Sequence, residues 1–324
     1  MPLLVVPLAA DELELLTLRE WDELTRRRRV WFEHPDHPLL ARLRENGADA
    51  RIFDDELDAA ADGDALVADP RSPRVLELAR AGAEVTSGAA RLPDALSAAH
   101  AAPVIRRAAA ALAGAAGIMA RLRSDDGCPW DREQTHESLK THALEEAYEV
   151  VEAIDRGTLG PDLAEELGDL LLQVLFHARL AEQEGRFDAA DVGDAIVAKL
   201  IRRHPHVFAD SAVEDAAEVV RNWEAIKGAE KERKGPFEDI PSALPGLLAA
   251  AKTVKRAASL GYSPDEDELL ADVRAALDRG DLGEALLALA ALARRRGSDA
   301  ETLLLAALVR FRRRWEGRSS GPPG

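Results

Sequence analysis

The chain contains little sulfur and few aromatic side chains. Cys128 is the only cysteine among 324 residues, so an intramolecular disulfide is impossible and we expect a reducing compartment, the cytoplasm. Aromatic residues make up only 4% of the sequence. That scarcity argues against an all-β fold and against an aromatic platform for single-stranded nucleic acid.

Positive charge and long apolar runs are also scarce. The 42 Lys and Arg residues face 59 Asp and Glu residues, a net charge of −17, which predicts weak binding to nucleic acid and anionic membranes. No segment reaches the roughly 20 apolar residues of a spanning helix. Met1–Leu8 has no basic region before its short apolar run, so we predict a first strand there and not a signal peptide.

Composition divides the chain into four parts. Residues 1–104 alternate short apolar runs (Leu3–Val6, Arg29–Phe32, Ala65–Val67) with Ala/Leu/Arg-rich stretches, which predicts a small α/β region. Residues 105–234 and 235–316 have helical sequence, and residues 317–324 are rich in Gly, Ser and Pro, which predicts a disordered tail. We therefore predict a mainly α protein, with a four-helix bundle in 105–234 and a weak, degenerate repeat of it in 235–316.

Two acidic signatures lie in the second part. Glu146 and Glu149 share one helix face, and so do Glu166 and Asp169, because each pair is spaced i, i+3. A solvated face is the commoner explanation for one such pair. Here, however, the second pair is embedded in the apolar run Leu170–Phe176, where unpaired carboxylates are costly. Two such helices packed antiparallel would bring four carboxylates together, an arrangement that Mg²⁺ would stabilise.

Further motifs accompany the acidic pairs in a fixed order. They are Gly127-Cys128-Pro129-Trp130-Asp131, Gln134-Thr135-His136, the stretch Lys199–Phe208 containing Arg-Arg-His-Pro-His, and Trp223-Glu224-Ala225-Ile226-Lys227. The ordered set resembles the MazG family of nucleoside triphosphate pyrophosphohydrolases, strongly over residues 118–234. The resemblance implies a helical bundle, active as a homodimer or tandem pair. It also implies Mg²⁺-dependent cleavage of an NTP or dNTP between its α and β phosphates, with Mn²⁺ as a possible substitute.

The resemblance also implies roles for individual residues. The metal ligands would be Glu146, Glu149, Glu166 and Asp169, and phosphate and nucleoside contacts would come from Lys199, Arg203, Trp223 and Lys227. Glu145 and Glu149 are both candidates to take the proton from water, and the sequence leaves that choice open. It also leaves open whether Trp223 is a core anchor and Lys227 a solvated charge. No Gly-x-x-x-x-Gly-Lys-Ser/Thr loop is present, which argues against a P-loop NTPase.

The flanking parts depart from this pattern. Ala285 and Leu282 align with Asp169 and Glu166, so we predict that the third part binds no catalytic metal and serves packing or dimerisation. Residues 1–104 weakly resemble the start of a tetrapyrrole methylase domain. The Gly-Pro-Gly-Asp loop of that family is replaced by Ala9–Glu12, which predicts a vestigial or regulatory region without S-adenosylmethionine. These flanks keep open an alternative, a nucleotide-binding regulatory scaffold with little turnover.

Overall fold

The computed structural model describes residues 1–53, 62–90, 92–209, 211–230, 235–238 and 240–319. The chain forms two compact units, Met1–Glu214 and Asp215–Gly324, and the four-part division remains a prediction. The protein is mainly α, as predicted. Its last helix extends to Ser319, so the first residues of the segment expected to be disordered are helical, and residues 320–324 lie outside the described residues.

The first unit contains all the strands that the structure describes. They are β1 (Leu4–Pro7), β2 (Val30–Phe32), β3 (Ala50–Ile52), β4 (Ala65–Ala68) and β5 (Glu84–Val85). Its helices are α1 (Leu18–Arg26), α2 (Pro38–Glu45), α3 (Pro73–Arg80), α4 (Ala95–Ala101), α5 (Ile105–Leu122), α6 (Pro129–Glu133), α7 (Lys140–Arg156), α8 (Pro161–Gln183), α9 (Ala189–Arg203) and α10 (Pro205–Phe208). The second unit contains α11 (Ala216–Ala229), α12 (Gly246–Ala258), α13 (Glu266–Asp278), α14 (Leu282–Arg295) and α15 (Ala300–Ser319).

The strands form one parallel sheet in the order β3-β2-β4-β1-β5. Successive residues of a strand point to opposite faces, so Val6 packs with Leu24 and Leu39 of α1 and α2. Val5 instead packs on the other face, against α3 and α4. Because both faces are covered, the central strands are continuous apolar runs, as expected of a buried parallel sheet.

A buried ion pair fastens the start of α5 to this α/β layer. The guanidinium of Arg106 donates to both carboxylate oxygens of Glu20 on α1, and to the carbonyl oxygens of Pro7 and Leu15 at 2.9 Å each. Both charged side chains are only 3% exposed. Burial opposes ionisation of Glu20, but the bonds and charge of Arg106 outweigh it and lower its pKa to about 2. The first helix of the helical part is therefore anchored at the edge of the sheet.

Helices α7 and α8 form an antiparallel hairpin. Helix α7 ends at Gly157, whose left-handed conformation (φ 74°) is typical of a helix C-cap. Helix α8 begins with Pro161 at its first position. Helix α5 packs against α8, and Met119, Leu139, Phe176 and Leu180 form a small buried cluster beside the hairpin. This packing brings the two acidic signatures to adjacent helices.

No single described helix is long and apolar enough to cross a membrane. Helices α4 and α5 meet the length and composition criteria only when taken together, and they are bent by 78° relative to each other.

Gly127 is required by close backbone packing in the turn between α5 and α6. A Cβ atom at this position would lie 2.1 Å from the carbonyl oxygen of Leu122, which accepts a hydrogen bond from the Cys128 amide at 2.8 Å. We expect Gly127→Ala to lower the free energy of unfolding by about 1–3 kcal/mol, because backbone atoms must move.

Gly117→Ala is the matched control, since a Cβ atom there would meet nothing within 4 Å in the middle of α5. It should leave stability unchanged or raise it, because alanine is the better helix former. Urea unfolding of both variants tests this, and equal stability of the two would contradict the steric argument.

Candidate metal centre

The helical hairpin gathers carboxylates from both acidic signatures. Glu146 and Glu149 of α7 and Glu166 of α8 each present an oxygen within 4.8 Å of the other two. Among the described residues, this is the one group of three or more His, Cys, Asp or Glu side chains close enough to hold a metal ion. Asp169 lies outside that mutually close set. Its charge nevertheless raises the pKa of both Glu146 and Glu166, so its carboxylate lies near them.

The electrostatics of this carboxylate cluster favour a bound cation. The pKa of Glu146 is raised first by burial, then by a hydrogen bond with Glu149 and repulsion from its three acidic neighbours. The pKa of Glu166 is raised by burial and by repulsion from Glu149 and Asp169, among others. A divalent cation would relieve this repulsion, and an all-oxygen donor set partly open to water is what Mg²⁺ prefers. The residues present therefore fit the predicted Mg²⁺, and Mn²⁺ equally.

The two candidate bases differ in their surroundings. Glu149 belongs to the carboxylate cluster. Glu145 is exposed and its Oε2 lies 3.1 Å from Nδ1 of His142, one turn earlier on α7. His142 in turn meets the ring of Trp130 edge-on, with 6.5 Å between ring centroids. Glu145 is thus part of a polar group next to the cluster and is not one of its three converging members.

The predicted substrate contacts lie on two other helices. Lys199 and Arg203 are one turn apart on α9, which packs against α8 in the same unit. Lys199 is exposed and Arg203 is half-buried. Trp223 and Lys227 lie on α11 in the second unit, where the Lys227 ammonium is 5.1 Å from the Trp223 ring centroid. That distance is within the range of a cation–π interaction.

The second unit shows no comparable acidic group among its described residues. Ala285 is buried in α14, and Leu282 is the exposed first residue of that helix. Glu268 forms a capping box with Asp265, in which each side chain accepts a hydrogen bond from the other's backbone amide. Its carboxylate therefore stabilises the start of α13.

Comparison with known proteins places this hairpin in a family. A family model described as the MazG nucleotide pyrophosphohydrolase domain matches residues 134–208. The chain is 43% identical over 219 residues to a nucleoside triphosphate pyrophosphohydrolase of Escherichia coli (strain K12), covering 61% of this chain and 83% of that protein. The chain belongs to the MazG nucleotide pyrophosphohydrolase family.

Other relatives extend the comparison. The Thermotoga maritima protein named nucleoside triphosphate pyrophosphohydrolase/pyrophosphatase MazG is 38% identical over 213 residues, covering 61% of this chain and 82% of that protein. The crystal structure of a mazG-related protein from T. maritima matches with 28% identity and a TM-score of 0.31, covering 36% of this chain and 98% of that one.

The MazG family model covers some of the predicted site and leaves some outside. Its span contains all five acidic candidates together with Lys199 and Arg203. Trp223 and Lys227 lie beyond it. The methylase-like origin proposed for residues 1–104 stays a prediction.

Sequence reasoning missed a histidine pair inside the MazG span. Nδ1 of His136, just before α7, lies 2.7 Å from Nδ1 of His177 on α8. His177 follows Glu166 by eleven residues, about three helical turns, and therefore lies on nearly the same side of α8. That spacing is a signal in the sequence, but its partner is 41 residues away and only the fold reveals it.

Proposed function

We propose that this chain hydrolyses nucleoside triphosphates between the α and β phosphates, releasing a nucleoside monophosphate and pyrophosphate. The observation that carries the proposal is the convergence of Glu146, Glu149 and Glu166 on a helical hairpin. It is supported by relatives named nucleoside triphosphate pyrophosphohydrolases. A role in removing damaged or surplus nucleotides follows as part of the same proposal.

The carboxylate cluster would hold the ion, with Asp169 as a fourth ligand. When bound, Mg²⁺ or Mn²⁺ supplies charge neutralisation for the phosphates and lowers the pKa of a coordinated water. Either Glu149 or Glu145 would accept the proton of the attacking water. His142, whose Nδ1 lies within hydrogen-bond distance of Glu145, would orient the carboxylate of that second candidate.

Positive charge for the substrate would come from α9 and α11. Lys199 and Arg203, spaced i, i+4, would donate to non-bridging phosphate oxygens. Trp223 would contact the nucleoside and Lys227 a phosphate. The cation–π contact between these two side chains is consistent with that proposal and equally with a packing contact on α11.

The cytoplasmic location and the homodimer also remain proposals. Many large apolar side chains on α7, α8 and α9 are exposed, which supports cover by a second copy. They include Leu144, Val151, Ile154, Leu167, Leu172, Val174, Ile196, Val197 and Leu200.

The products of the reaction test the proposed bond. With an NTP labelled on its α phosphate, we expect labelled monophosphate and unlabelled pyrophosphate, and no orthophosphate until a pyrophosphatase is added. Activity should vanish with EDTA and return with Mg²⁺ or Mn²⁺, because the carboxylates would otherwise repel the phosphates.

Two outcomes would contradict this scheme. Labelled nucleoside diphosphate in place of monophosphate would mean that the γ phosphate is removed. Tight nucleotide binding with no turnover, in the presence of either metal, would instead support the regulatory scaffold.

A further inference from the structure

His136 and His177 are joined edge to edge. Their Nδ1 atoms are 2.7 Å apart, their ring centroids are 5.0 Å apart, and their planes differ by only 4°. The centroid separation equals the Nδ1–Nδ1 distance plus the radius of one imidazole ring at each end. Both nitrogens therefore lie on the line between the centroids, and the parallel rings share one plane. This is the geometry of a linear hydrogen bond, not of face-to-face stacking.

The surroundings assign the proton in this bond. Nε2 of His136 is buried and has no hydrogen-bond partner among the described residues, whereas Nε2 of His177 is not both buried and without a partner. A buried N–H without a partner is the rarer arrangement, so His136 carries its proton on Nδ1 and donates it to His177. Burial and His136 lower the pKa of His177, which keeps the acceptor neutral.

The pair lies at the open end of the α7–α8 hairpin. Asp169 is eight residues from Pro161, where α8 leaves the covalent turn, and eight residues from His177. At about 1.5 Å per residue, each separation is about 12 Å along the helix. Asp169 thus lies midway between a covalent connection and the histidine bond, and Glu166, the α8 member of the carboxylate cluster, lies nearer the covalent connection.

Like charges between those two ends oppose a closed hairpin. The repulsion that raises the pKa of Glu146 and Glu166 acts to separate α7 from α8. The covalent turn resists this at one end. At the other end, Leu139 packs with Phe176 and Leu180, but apolar contacts are non-directional and permit sliding. A linear hydrogen bond restricts both the spacing and the register.

We propose that His136 and His177 are a positioning pair, whose hydrogen bond holds the start of α7 against α8 and sets the spacing of the carboxylates for the divalent cation. The inference rests on the proposed function for its catalytic consequence. It does not depend on that function for its effect on metal binding.

The test is Mn²⁺ binding to the metal-free full chain, measured by titration calorimetry without nucleotide. His177→Leu removes the acceptor, and we expect about a 10-fold loss of Mn²⁺ affinity, the lower end of the range for residues that support metal ligands. His177→Asn places an amide oxygen near the former Nδ1 position and should restore affinity to within about 3-fold of wild type. His100→Leu, an exposed histidine on α4, is the matched control and should bind as wild type does.

Circular dichroism establishes that each variant is folded. Wild-type affinity in folded His177→Leu would overturn the inference, and so would equal losses in the Leu and Asn variants. If His177→Leu does not fold, ¹⁵N spectra of the wild-type imidazoles decide, because the pair requires one protonated and one bare Nδ1 joined by a shared proton. Two bare Nδ1 atoms would refute it. Mn²⁺ binding that follows the expected order without any NTP hydrolysis would refute the proposed function and support the pair.

Discussion

Glu146→Gln is expected to lower kcat/KM for NTP hydrolysis by about 10²-fold or more. Glu146 lies in the carboxylate cluster, and three acidic neighbours raise its pKa. Glutamine keeps the shape but removes the charge, so the cluster holds its cation less tightly and a coordinated water is misplaced. Asp169→Ala is expected to have an effect of the same order, through loss of the fourth carboxylate. Pyrophosphate release, followed over a range of Mg²⁺ concentrations, measures both variants.

Helix α13 provides the matched control. Glu268→Gln combined with Asp272→Asn removes two negative charges from α13, and we expect unchanged turnover. Glutamine at 268 retains an oxygen that can accept from the Asp265 amide in the capping box. Near wild-type activity of folded Glu146→Gln would disprove the assigned metal centre. A large loss in the double variant, with fold and oligomeric state intact, would disprove the predicted catalytic silence of residues 235–316.

Arg106→Met is expected to lower the free energy of unfolding of the first unit by about 3–5 kcal/mol. The substitution leaves the Glu20 carboxylate buried without its counter-charge. It also removes the two N–H donors, on Nε and Nη1, to the carbonyl oxygens of Pro7 and Leu15. Urea unfolding, followed by circular dichroism, measures the loss.

The ion pair between Arg106 and Glu20 has a defined pH dependence. The pKa of Glu20 is about 2 in the folded protein against an ordinary 4.5. The contribution of the ionised Glu20 to the free energy of unfolding is therefore complete above about pH 4.5 and is lost as the pH falls toward 2. The difference in free energy of unfolding between wild type and Arg106→Met should therefore become smaller as the pH falls over that range. Adding Glu20→Gln to Arg106→Met removes the unpaired charge and should recover part of the stability. A pH-independent difference, or a double variant less stable than the single one, would contradict this account.

Local patterns in the sequence determined much of the fold. The apolar runs that became β1, β2 and β4 are central strands buried on both faces, so their composition alone marked them. The strands β3 and β5 were missed because they lie at the edges of the sheet, where exposed residues such as Arg51 and Glu84 mask the strand signal. The i, i+3 spacing of each acidic pair likewise fixed which carboxylates share a helix face.

Only the tertiary structure decided which of these side chains meet. Three of the four predicted ligands converge, while Asp169 lies outside the converging group. Which carboxylates converge depends on how α7 packs against α8. The hydrogen bond of His136 with His177 spans 41 residues and the ion pair of Arg106 with Glu20 spans 86. Periodicity reports which residues share a face of one element, whereas the pairing of faces from different elements depends on packing across the whole unit.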